Sequence, residues 1–321
     1  MIGRMFFMLF FMFGVLLMPW AQRNDFNLEA EFIKQKKYHP QIACAILGDT
    51  ASITILRNRY YTRAKIYSQC ADLYLPKDVP MALPVVILVH GGGWRSGDKQ
   101  LDGAMAAHLA RQGIAAVCVN YRLSGEAPYP AAIQDVKTAI RWVRSQARQY
   151  GFDPDNITLL GSSAGGQMVS LIGAINGRYP AFQTKELRRY YDKVQKVVDI
   201  DGVLAFVHTD SSEGLDRPDK PSAASLWFGV TAHGDSATWH RLAHEASALN
   251  HVNQNSARFL FCLSGQTRFS AGVHDMVREL ERYGNPAKVL KQECSPHTHW
   301  LFYPWFEPLM EEVVRFVKED F

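Results

Sequence analysis

The stretch I-T-L-L-G-S-S-A-G-G, residues 157–166, joins a short apolar segment to the start of a helix through glycines and serines. Residues 161–165 within it match the G-x-S-x-G pattern in a strand-to-helix setting. A serine in so sharp a turn takes up a strained backbone, and only small neighbours leave room for it. The helix that follows directs free N–H groups towards developing negative charge. We therefore predict that Ser163 is a nucleophile raised above the edge of a sheet.

A second motif, H-G-G-G-W at residues 90–94, follows the apolar segment P-V-V-I-L-V directly. Acyl transfer passes through a tetrahedral oxyanion, and consecutive glycines let backbone N–H groups approach it closely. We assign the oxyanion donors to Gly92, Gly93 and Ala164. A glycine run after a strand is also typical of a plain turn, but its occurrence ahead of a G-x-S-x-G motif favours the oxyanion role.

The general base must be a histidine after the last strand, because the triad order on this type of sheet is serine, acid, histidine. Two histidines occur there, His297 and His299, within S-P-H-T-H-W. We favour His297, which lies closer to the end of the strand, and keep His299 as the alternative.

The acid has no obvious match, because the usual G-x-x-D after the next-to-last strand is replaced by S-G-Q-T-R, with Arg268 at the acid position. Asp201 ends the preceding strand segment, where ligand-facing residues of open α/β sheets concentrate. Asp275 is the alternative, although it falls in the first turns of a predicted helix and could serve the helix dipole instead. A site that uses neither carboxylate is the third possibility.

Apolar strand segments alternate with helical ones along the chain. We predict strands at 51–56, 67–75, 83–89, 114–120, 157–160, 194–200, 258–263 and 288–293, and helices at 101–111, 130–150, from 164, 272–283 and 305–317. Continuous apolar strands separated by helices predict an α/β fold with a mostly parallel sheet covered on both faces. The segment 204–257 breaks this alternation, and loop regions of that length are usually functional, so we predict a cap over the site.

The amino terminus resembles an export signal. Arg4 precedes an apolar run at 5–18 that is too short to span a bilayer comfortably. We expect a signal peptide over 1–21, a single catalytic domain over 22–321, and a periplasmic or extracellular location without stable membrane insertion after cleavage. A retained anchor is the alternative, because Pro19 departs from the small-residue rule at the cleavage site.

The net charge bears on a nucleic-acid partner, and the cysteines bear on disulfides and on a zinc site. The net charge of +4 is too small and too dispersed to indicate a nucleic-acid partner. Of five cysteines, Cys118 and Cys262 lie in strand-like runs and are expected to be buried thiols. Cys44, Cys70 and Cys294 could supply one disulfide, and their spacing does not resemble a zinc site.

These motifs together resemble α/β-hydrolases with an H-G-G-G-W oxyanion loop, close to bacterial feruloyl and acetyl-xylan esterases. The resemblance begins near Ala71 and includes A-D-L-Y-L-P (71–76), H-G-G-G-W-R-S-G-D (90–98), N-Y-R-L (120–123), P-A-A-I-Q-D (130–135) and the G-S-S-A-G-G turn. It implies an eight-stranded, mostly parallel sheet with helices on both faces and a cap insertion. Asp98, Tyr121, Arg122 and Asp135 also match, and we interpret them as structural braces.

The resemblance implies a secreted serine carboxylester hydrolase that removes acetyl or feruloyl groups from plant polysaccharides through an acyl-enzyme, with no metal or organic cofactor. The expected substrate is a small-molecule or polysaccharide ester, and Trp94 and Trp227 are candidate substrate-binding residues because aromatic rings stack on sugars and phenolic groups. Two alternatives stay open. One is a peptidase or amidase on the same fold, and the other is a non-catalytic carbohydrate-binding protein.

Overall fold

A computed structural model describes residues 26–78, 82–217, 219–293 and 295–319. Its strands are β1 (Ala43–Cys44), β2 (Ile53–Tyr60), β3 (Cys70–Pro76), β4 (Leu83–Val89), β5 (Ala115–Val119), β6 (Phe152–Ser162), β7 (Lys196–Ile200), β8 (Arg258–Ser264), β9 (Lys288–Gln292) and β10 (Phe302–Tyr303). Its α-helices are α1 (Leu28–Lys36), α2 (Gly103–Arg111), α3 (Ala131–Ser145), α4 (Ala147–Tyr150), α5 (Ala164–Ile175), α6 (Ala223–Phe228), α7 (Ser236–Ala246), α8 (Val273–Arg282) and α9 (Phe306–Lys318). The predicted leader and Cys294 lie outside the described residues.

The main sheet has eight strands in the order β2-β3-β5-β4-β6-β7-β8-β9. The pairs β2–β3 and β3–β5 are antiparallel, and every other neighbouring pair is parallel. The predicted mostly parallel, eight-stranded sheet is therefore confirmed. The strands β1 and β10 form a separate antiparallel ribbon. The sequence analysis missed this ribbon because two-residue strands carry no periodic signal.

Alternate residues of the central strand β4 belong to two separate cores. Val85, Ile87 and Val89 pack in the core that includes α3, α5 and α8, whereas Val86 and Leu88 pack in the core that includes α2 and α9. A strand covered by helices on both faces buries every side chain, which explains its continuous apolar sequence. Burying each of these side chains contributes roughly 1.5–3 kcal/mol.

The register of the parallel strands brings three loops to one edge of the sheet. Val89 pairs with Gly161, Ser162 pairs with Ile200, and Ile200 pairs with Cys262. The loops after β4, β6 and β7 therefore begin side by side at the carboxyl ends of their strands, where open α/β sheets bind ligands.

The segment 204–257 packs on the body of the protein through large aromatic residues. Trp227, Phe228 and Trp239 are buried in the same core as α3 and α5. Gln167 on α5 donates a hydrogen bond from Nε2 to the Ala246 carbonyl oxygen at 2.8 Å. The segment also contributes Glu213 to a cavity beside Ser163. Its role as a cap insertion over the site stays a prediction.

The four cysteines that the structure describes are present as thiols. Cys44, Cys70, Cys118 and Cys262 are all free thiols, so Cys44 and Cys70 do not pair with each other. Cys118 and Cys262 are fully buried in β5 and β8, as expected. Among the helices that the structure describes, none is long and apolar enough to cross a membrane.

Candidate active site

Ser163 occupies a tight turn between β6 and α5. Its backbone has φ 53° and ψ −118°, and its N–H donates to the Ile200 carbonyl oxygen at 2.7 Å. A Cβ at position 165 would lie 1.9 Å from the Val89 carbonyl oxygen, and one at position 161 would lie 2.3 Å from the Gly165 carbonyl oxygen. The glycines of the motif are therefore required by close backbone packing that holds the serine in its left-handed conformation.

Three side chains form a continuous hydrogen-bonded chain at this turn. His297 Nε2 lies 2.9 Å from Ser163 Oγ, and His297 Nδ1 lies 2.9 Å from Asp201 Oδ2. The other carboxylate oxygen, Asp201 Oδ1, accepts a hydrogen bond from the Ser264 N–H at 2.8 Å. Asp201 is fully buried, and each of its two carboxylate oxygens is held by one of these hydrogen bonds. The arrangement can remove a proton from the serine hydroxyl and stabilise the resulting imidazolium.

The alternative acid is in a different environment. Asp275, on α8, contacts His208 Nε2 at 3.1 Å and also pairs with Arg278 on its own helix. Asp201, by contrast, directly follows β7, and its N–H continues the sheet by donating to the Cys262 carbonyl oxygen at 3.0 Å. Of the two carboxylates, the structure brings Asp201 to the histidine.

The environment of His297 favours its neutral form. Its ring stacks on Phe269 with 3.3 Å between ring centres and meets Trp300 edge-on at 5.4 Å. Burial lowers the pKa of His297, and its hydrogen bond to Asp201 partly opposes that effect. A neutral imidazole at neutral pH is the form that accepts a proton.

The neighbouring histidine has a structural place. His299 is fully buried, packs edge-on against Trp300 at 5.7 Å, and has its pKa lowered to about 4 by burial. The structure therefore brings His297, and not His299, to the serine.

The H-G-G-G-W loop lies directly against the serine turn. A Cβ at position 91 would be 3.2 Å from Ser163 Cβ. The loop starts at His90, whose Nδ1 contacts the Gly91 carbonyl oxygen at 2.8 Å and whose ring stacks on Tyr121. Burial lowers the pKa of His90 to about 4, so this anchor stays neutral.

The glycines of this loop are available as donors. Gly92 and Gly93 have φ of 121° and 60°, which only glycine adopts readily. In the described part of the chain, no residue accepts a hydrogen bond from the N–H groups of Gly92, Gly93 or Ala164. Free backbone donors beside a nucleophile are the usual means of holding an oxyanion.

Two cavities of very different size meet at Ser163. The inner pocket, of about 70 Å³, is lined by Gly93, Trp94, Ser163, Ala164, Asp201, Val203, Glu213, Ala223, Arg268 and Phe269. The outer groove, of about 840 Å³, shares Gly93, Ser163, Arg268 and Phe269 with it and adds His297 and residues of α1 and of the 92–96 loop.

The two tryptophans have unequal roles. Trp94 lines the inner pocket and donates a hydrogen bond from Nε1 to Gln167 Oε1 at 3.0 Å. Trp227 is fully buried and stacks on Trp94 with ring centres 4.8 Å apart. The prediction that Trp227 binds substrate is therefore wrong. Trp227 supports the ring of Trp94 from within the core.

An ion pair in the inner pocket escaped the sequence analysis. Arg268 Nη2 lies 3.3 Å from Glu213 Oε1, and burial raises the pKa of Glu213. The Arg268 guanidinium also lies over the Phe269 ring at 4.2 Å. Arg268 occupies the position of the aspartate in the usual G-x-x-D pattern. An arginine at that position was the one sequence feature that indicated a role other than that of the triad acid.

The four matching residues outside the site act as braces, as expected. Asp135 is buried and accepts hydrogen bonds from Arg122 Nε and Nη2, both at 2.8 Å. Asp98 accepts from Tyr67 and Asn120, and the Tyr121 hydroxyl donates to the His90 carbonyl oxygen at 2.9 Å. The contacts of Asp98 and Tyr121 connect the oxyanion loop to its neighbours, and the contact of Asp135 connects the segment after β5 to α3. Within the described ranges, no three His, Cys, Asp or Glu side chains are grouped to hold a metal ion.

Comparison with known sequences gives matches to esterases. Residues 71–268 match the family model BD-FAE, which covers more than half of the chain. Esterase LipC of Mycobacterium tuberculosis is 30% identical over 213 residues, which are 64% of this chain and 51% of LipC. Carboxylesterase NlhH of the same organism is 40% identical over 104 residues, which are 32% of this chain and 33% of NlhH. The chain thus spans about half the length of LipC and a third of NlhH.

Comparison with solved structures confirms the α/β-hydrolase fold. A truncated carbohydrate esterase from gut microbiota superimposes with a TM-score of 0.67 at 22% identity, covering 83% of this chain and 97% of that one. Esterase B from Lactobacillus rhamnosis gives a TM-score of 0.64 at 21% identity, covering 90% and 92%. At these identities the likeness concerns the fold.

Proposed function

The chain belongs to the BD-FAE family, and on this premise we propose that it is a serine hydrolase of carboxylic esters. The observation that carries the proposal is the chain of two 2.9 Å contacts from Ser163 Oγ through His297 to Asp201. We assign Ser163 as nucleophile, His297 as general base and acid, and Asp201 as the residue that orients His297. The relatives named as esterases support the same reaction class.

The proposed reaction has two halves. His297 removes the proton from Ser163 Oγ as this oxygen attacks the ester carbonyl, and the N–H groups of Gly92, Gly93 and Ala164 hold the oxyanion. His297 then gives the proton to the leaving alcohol. Water, activated by the same imidazole, releases the carboxylic acid and restores the serine.

The sizes of the two cavities support a proposal for where the two halves of the ester bind. The alcohol must leave on the side of His297, because His297 supplies its proton, and His297 lines the outer groove. The acyl group then occupies the inner pocket of about 70 Å³. Pockets that enclose a drug-sized ligand measure roughly 300–1,000 Å³. This argument favours acetyl over feruloyl, whose aromatic ring and three-carbon arm need more room.

The outer groove suits a larger alcohol such as a sugar. Its volume of about 840 Å³ falls within the range of sites for sizeable ligands. Tyr38, at one of its walls, is 75% exposed and offers a ring face for stacking. We therefore propose an acetyl ester of a carbohydrate as substrate, with the structural neighbour described as a carbohydrate esterase in support.

We also propose that residues 1–21 direct export. The basic residue followed by an apolar run supports this. Amino-terminal sequencing of protein recovered outside the cytoplasm would give residue 22 first if the leader is cleaved, and residue 1 or no external protein would contradict the proposal.

The experiment compares three esters with two serine variants. Acetate release from p-nitrophenyl acetate and acetylated xylan, and ferulate release from methyl ferulate, are measured with the native protein, Ser163→Ala and Ser162→Ala. Ser162 is the matched control, because its buried hydroxyl has no hydrogen-bond partner in the described part of the chain.

We expect acetyl esters to be hydrolysed and Ser163→Ala to lose on the order of 10⁴-fold or more in kcat, while Ser162→Ala stays close to native. Activity that survives in Ser163→Ala would overturn the nucleophile. Faster release of ferulate than of acetate would overturn the acyl pocket, and hydrolysis of none of the three esters by the native protein would overturn the ester reaction.

A further inference from the structure

The outer groove carries an excess of positive charge close to the nucleophile. Four cationic side chains line it: Lys34, Arg95, Lys220 and Arg268. Among the described residues of its lining there is one carboxylate, that of Glu31. The overall charge of the chain is only +4, so the groove concentrates charge that is otherwise dispersed.

The carboxylates near the groove are already engaged. Glu31 accepts hydrogen bonds from Gln35 at 2.6 Å and from Thr298 at 2.9 Å, and it pairs with Lys34 at 3.2 Å. Arg268 is paired with Glu213 of the inner pocket. Lys34 and Arg268 are therefore partly neutralised. The excess positive charge of the groove comes mainly from Arg95 and Lys220.

Arg95 and Lys220 have no acidic partner in the part of the chain that the structure describes. Both side chains are exposed, and within the described residues no carboxylate oxygen lies within 4 Å of either charged group. Their backbones are held in place: the Arg95 N–H donates to the Gly92 carbonyl oxygen at 3.2 Å, and Lys220 exchanges two backbone hydrogen bonds with Arg217. Two cationic side chains on anchored backbone in a cleft raise the local concentration of anionic ligands.

The position of these cations specifies which part of the substrate they meet. They line the outer groove and not the inner pocket, so they face the alcohol part of the ester. Arg95 follows the oxyanion loop directly in sequence, and the outer groove that it lines also contains Ser163. Its planar guanidinium matches the two oxygens of a carboxylate.

We propose that the groove selects acetyl esters whose alcohol carries a carboxylate, as a uronate sugar does, through Arg95 and Lys220. The inference rests on the proposed ester hydrolysis and specifies its substrate class. Because the cations are exposed, their effect is that of screened surface charges, which we expect to act on KM more than on kcat.

The test compares three matched substrates that differ only at one carbon. These are the monoacetylated methyl glycosides of glucuronic acid, of its uncharged amide, and of glucose. We expect kcat/KM for the uronate to exceed that for the amide by about 3- to 10-fold at low salt, and the advantage to fall towards 1 in 1 M NaCl, where the screening length is about 3 Å.

Variants then assign the effect to residues. Arg95→Gln and Lys220→Gln should each lower the uronate-to-amide ratio by about 2- to 3-fold. Arg148→Gln is the control, because Arg148 is an exposed cation on α4 outside the described lining of either cavity, and it should leave the ratio unchanged. Equal kcat/KM for uronate and amide, or a full preference in the Arg95→Gln, Lys220→Gln double variant, would overturn the inference.

Binding measurements separate this inference from the proposed function. Methyl glucuronoside and methyl glucoside are titrated into Ser163→Ala. If no ester is hydrolysed but the uronate binds more tightly than the glucoside, the proposed ester hydrolysis is contradicted and the proposed selection by charge is supported. If the neutral esters are hydrolysed in a Ser163-dependent manner and neither binding nor kcat/KM favours the uronate, only the charge selection falls.

Discussion

Ser163 and Asp201 each follow the end of a parallel strand, both have φ of 53°, and each donates its N–H to the next strand of the sheet. The turns differ in what holds them. The serine turn contains glycines at 161, 165 and 166, where added Cβ atoms would lie within 2.6 Å of other atoms. The aspartate turn has a single such glycine, Gly202, where a Cβ would lie 2.5 Å from the backbone of α5, and its carboxylate is held by hydrogen bonds with distant segments.

This difference explains why the sequence predicted the serine turn from a motif but left the identity of the acid open. Steric exclusion leaves a local signature, because each position that touches backbone must be glycine. A hydrogen-bonded acid needs only a carboxylate at the right register, and many carboxylates in a chain satisfy that description. The site is therefore half specified by close packing and half by long-range pairing of strands.

The largest effect should come from removing the charge of the acid. Asp201→Asn places an amide opposite His297 Nδ1 and disturbs the tautomer that accepts the serine proton, so we expect kcat to fall on the order of 10³- to 10⁴-fold. Asp275→Asn should change kcat less than 2-fold, because Asp275 pairs with His208 and Arg278. Steady-state kinetics with p-nitrophenyl acetate check both. A large loss in the Asp275 variant together with near-native activity in Asp201→Asn would reverse the assignment.

The next effect concerns the packing of the serine turn. Gly165→Ala would force a methyl group against the Val89 carbonyl oxygen, and such overpacking costs about 3 kcal/mol of unfolding free energy. Gly125→Ala is the matched control, because that glycine is exposed and a Cβ there would meet nothing within 4 Å. Urea unfolding of both variants measures the difference. Equal stabilities would show that the turn does not depend on glycine clearance.

A third prediction concerns Asp199, a carboxylate in β7 two residues before Asp201. Asp199 is fully buried, contacts Ser170 Oγ and the Gly202 N–H, and has its pKa raised to about 7 by burial. A raised pKa in the folded state means that its stabilising contribution is complete below the ordinary value near 3.8 and is lost as pH rises through 7. Asp199→Asn imitates the protonated acid and should flatten this dependence.

Urea unfolding at pH 5, 6, 7 and 8 checks this. The native protein should lose on the order of a few kcal/mol more than the variant across that range, since one pKa unit corresponds to about 1.4 kcal/mol. Asp199→Asn should also keep most of the native kcat, in contrast to Asp201→Asn two residues later. Parallel stability curves would contradict the protonated state of Asp199.

The fold was largely predictable because its central strands are covered on both faces. Leu83–Val89 was predicted with its observed bounds, since continuous apolar residues begin and end there. The strand predicted at 157–160 runs from Phe152 to Ser162, because Phe152 pairs with Leu83 ahead of a register shift and four mostly polar residues separate it from the apolar run at Ile157. Backbone pairing leaves no trace in side-chain hydrophobicity.

The site was predictable where its determinants are local. The turn at Ser163 and the loop at 90–94 carry their own motifs, whereas the choice of Asp201 depends on the pairing of Ile200 with Cys262, 62 residues apart in sequence. The pair of Arg268 with Glu213 spans 55 residues and left no pattern. Trp227 was misassigned because burial of one tryptophan behind another is decided by packing that no local pattern encodes.

The smallest expected effect concerns the charges around His297, which come from segments distant in sequence. Burial is the main cause of the lowered pKa of His297, and the charge of Arg268 lowers it further while that of Glu31 raises it. Because His297 must be neutral to act as a base, the acidic limb of kcat/KM follows its pKa. Arg268→Gln should move that limb to higher pH and Glu31→Gln to lower pH, each by about 0.2–0.5 unit for such partly screened charges.

Arg268→Lys keeps the charge and should leave the limb in place, which separates charge from lost packing on Phe269. The measurement is kcat/KM for p-nitrophenyl acetate between pH 4.5 and 8. Opposite shifts from two residues on separate segments, α1 and the turn after β8, would show that the histidine side of the site is tuned by charges from distant parts of the chain. Shifts of the same sign, or none, would mean that burial alone sets the base and that both halves of the site are governed by packing.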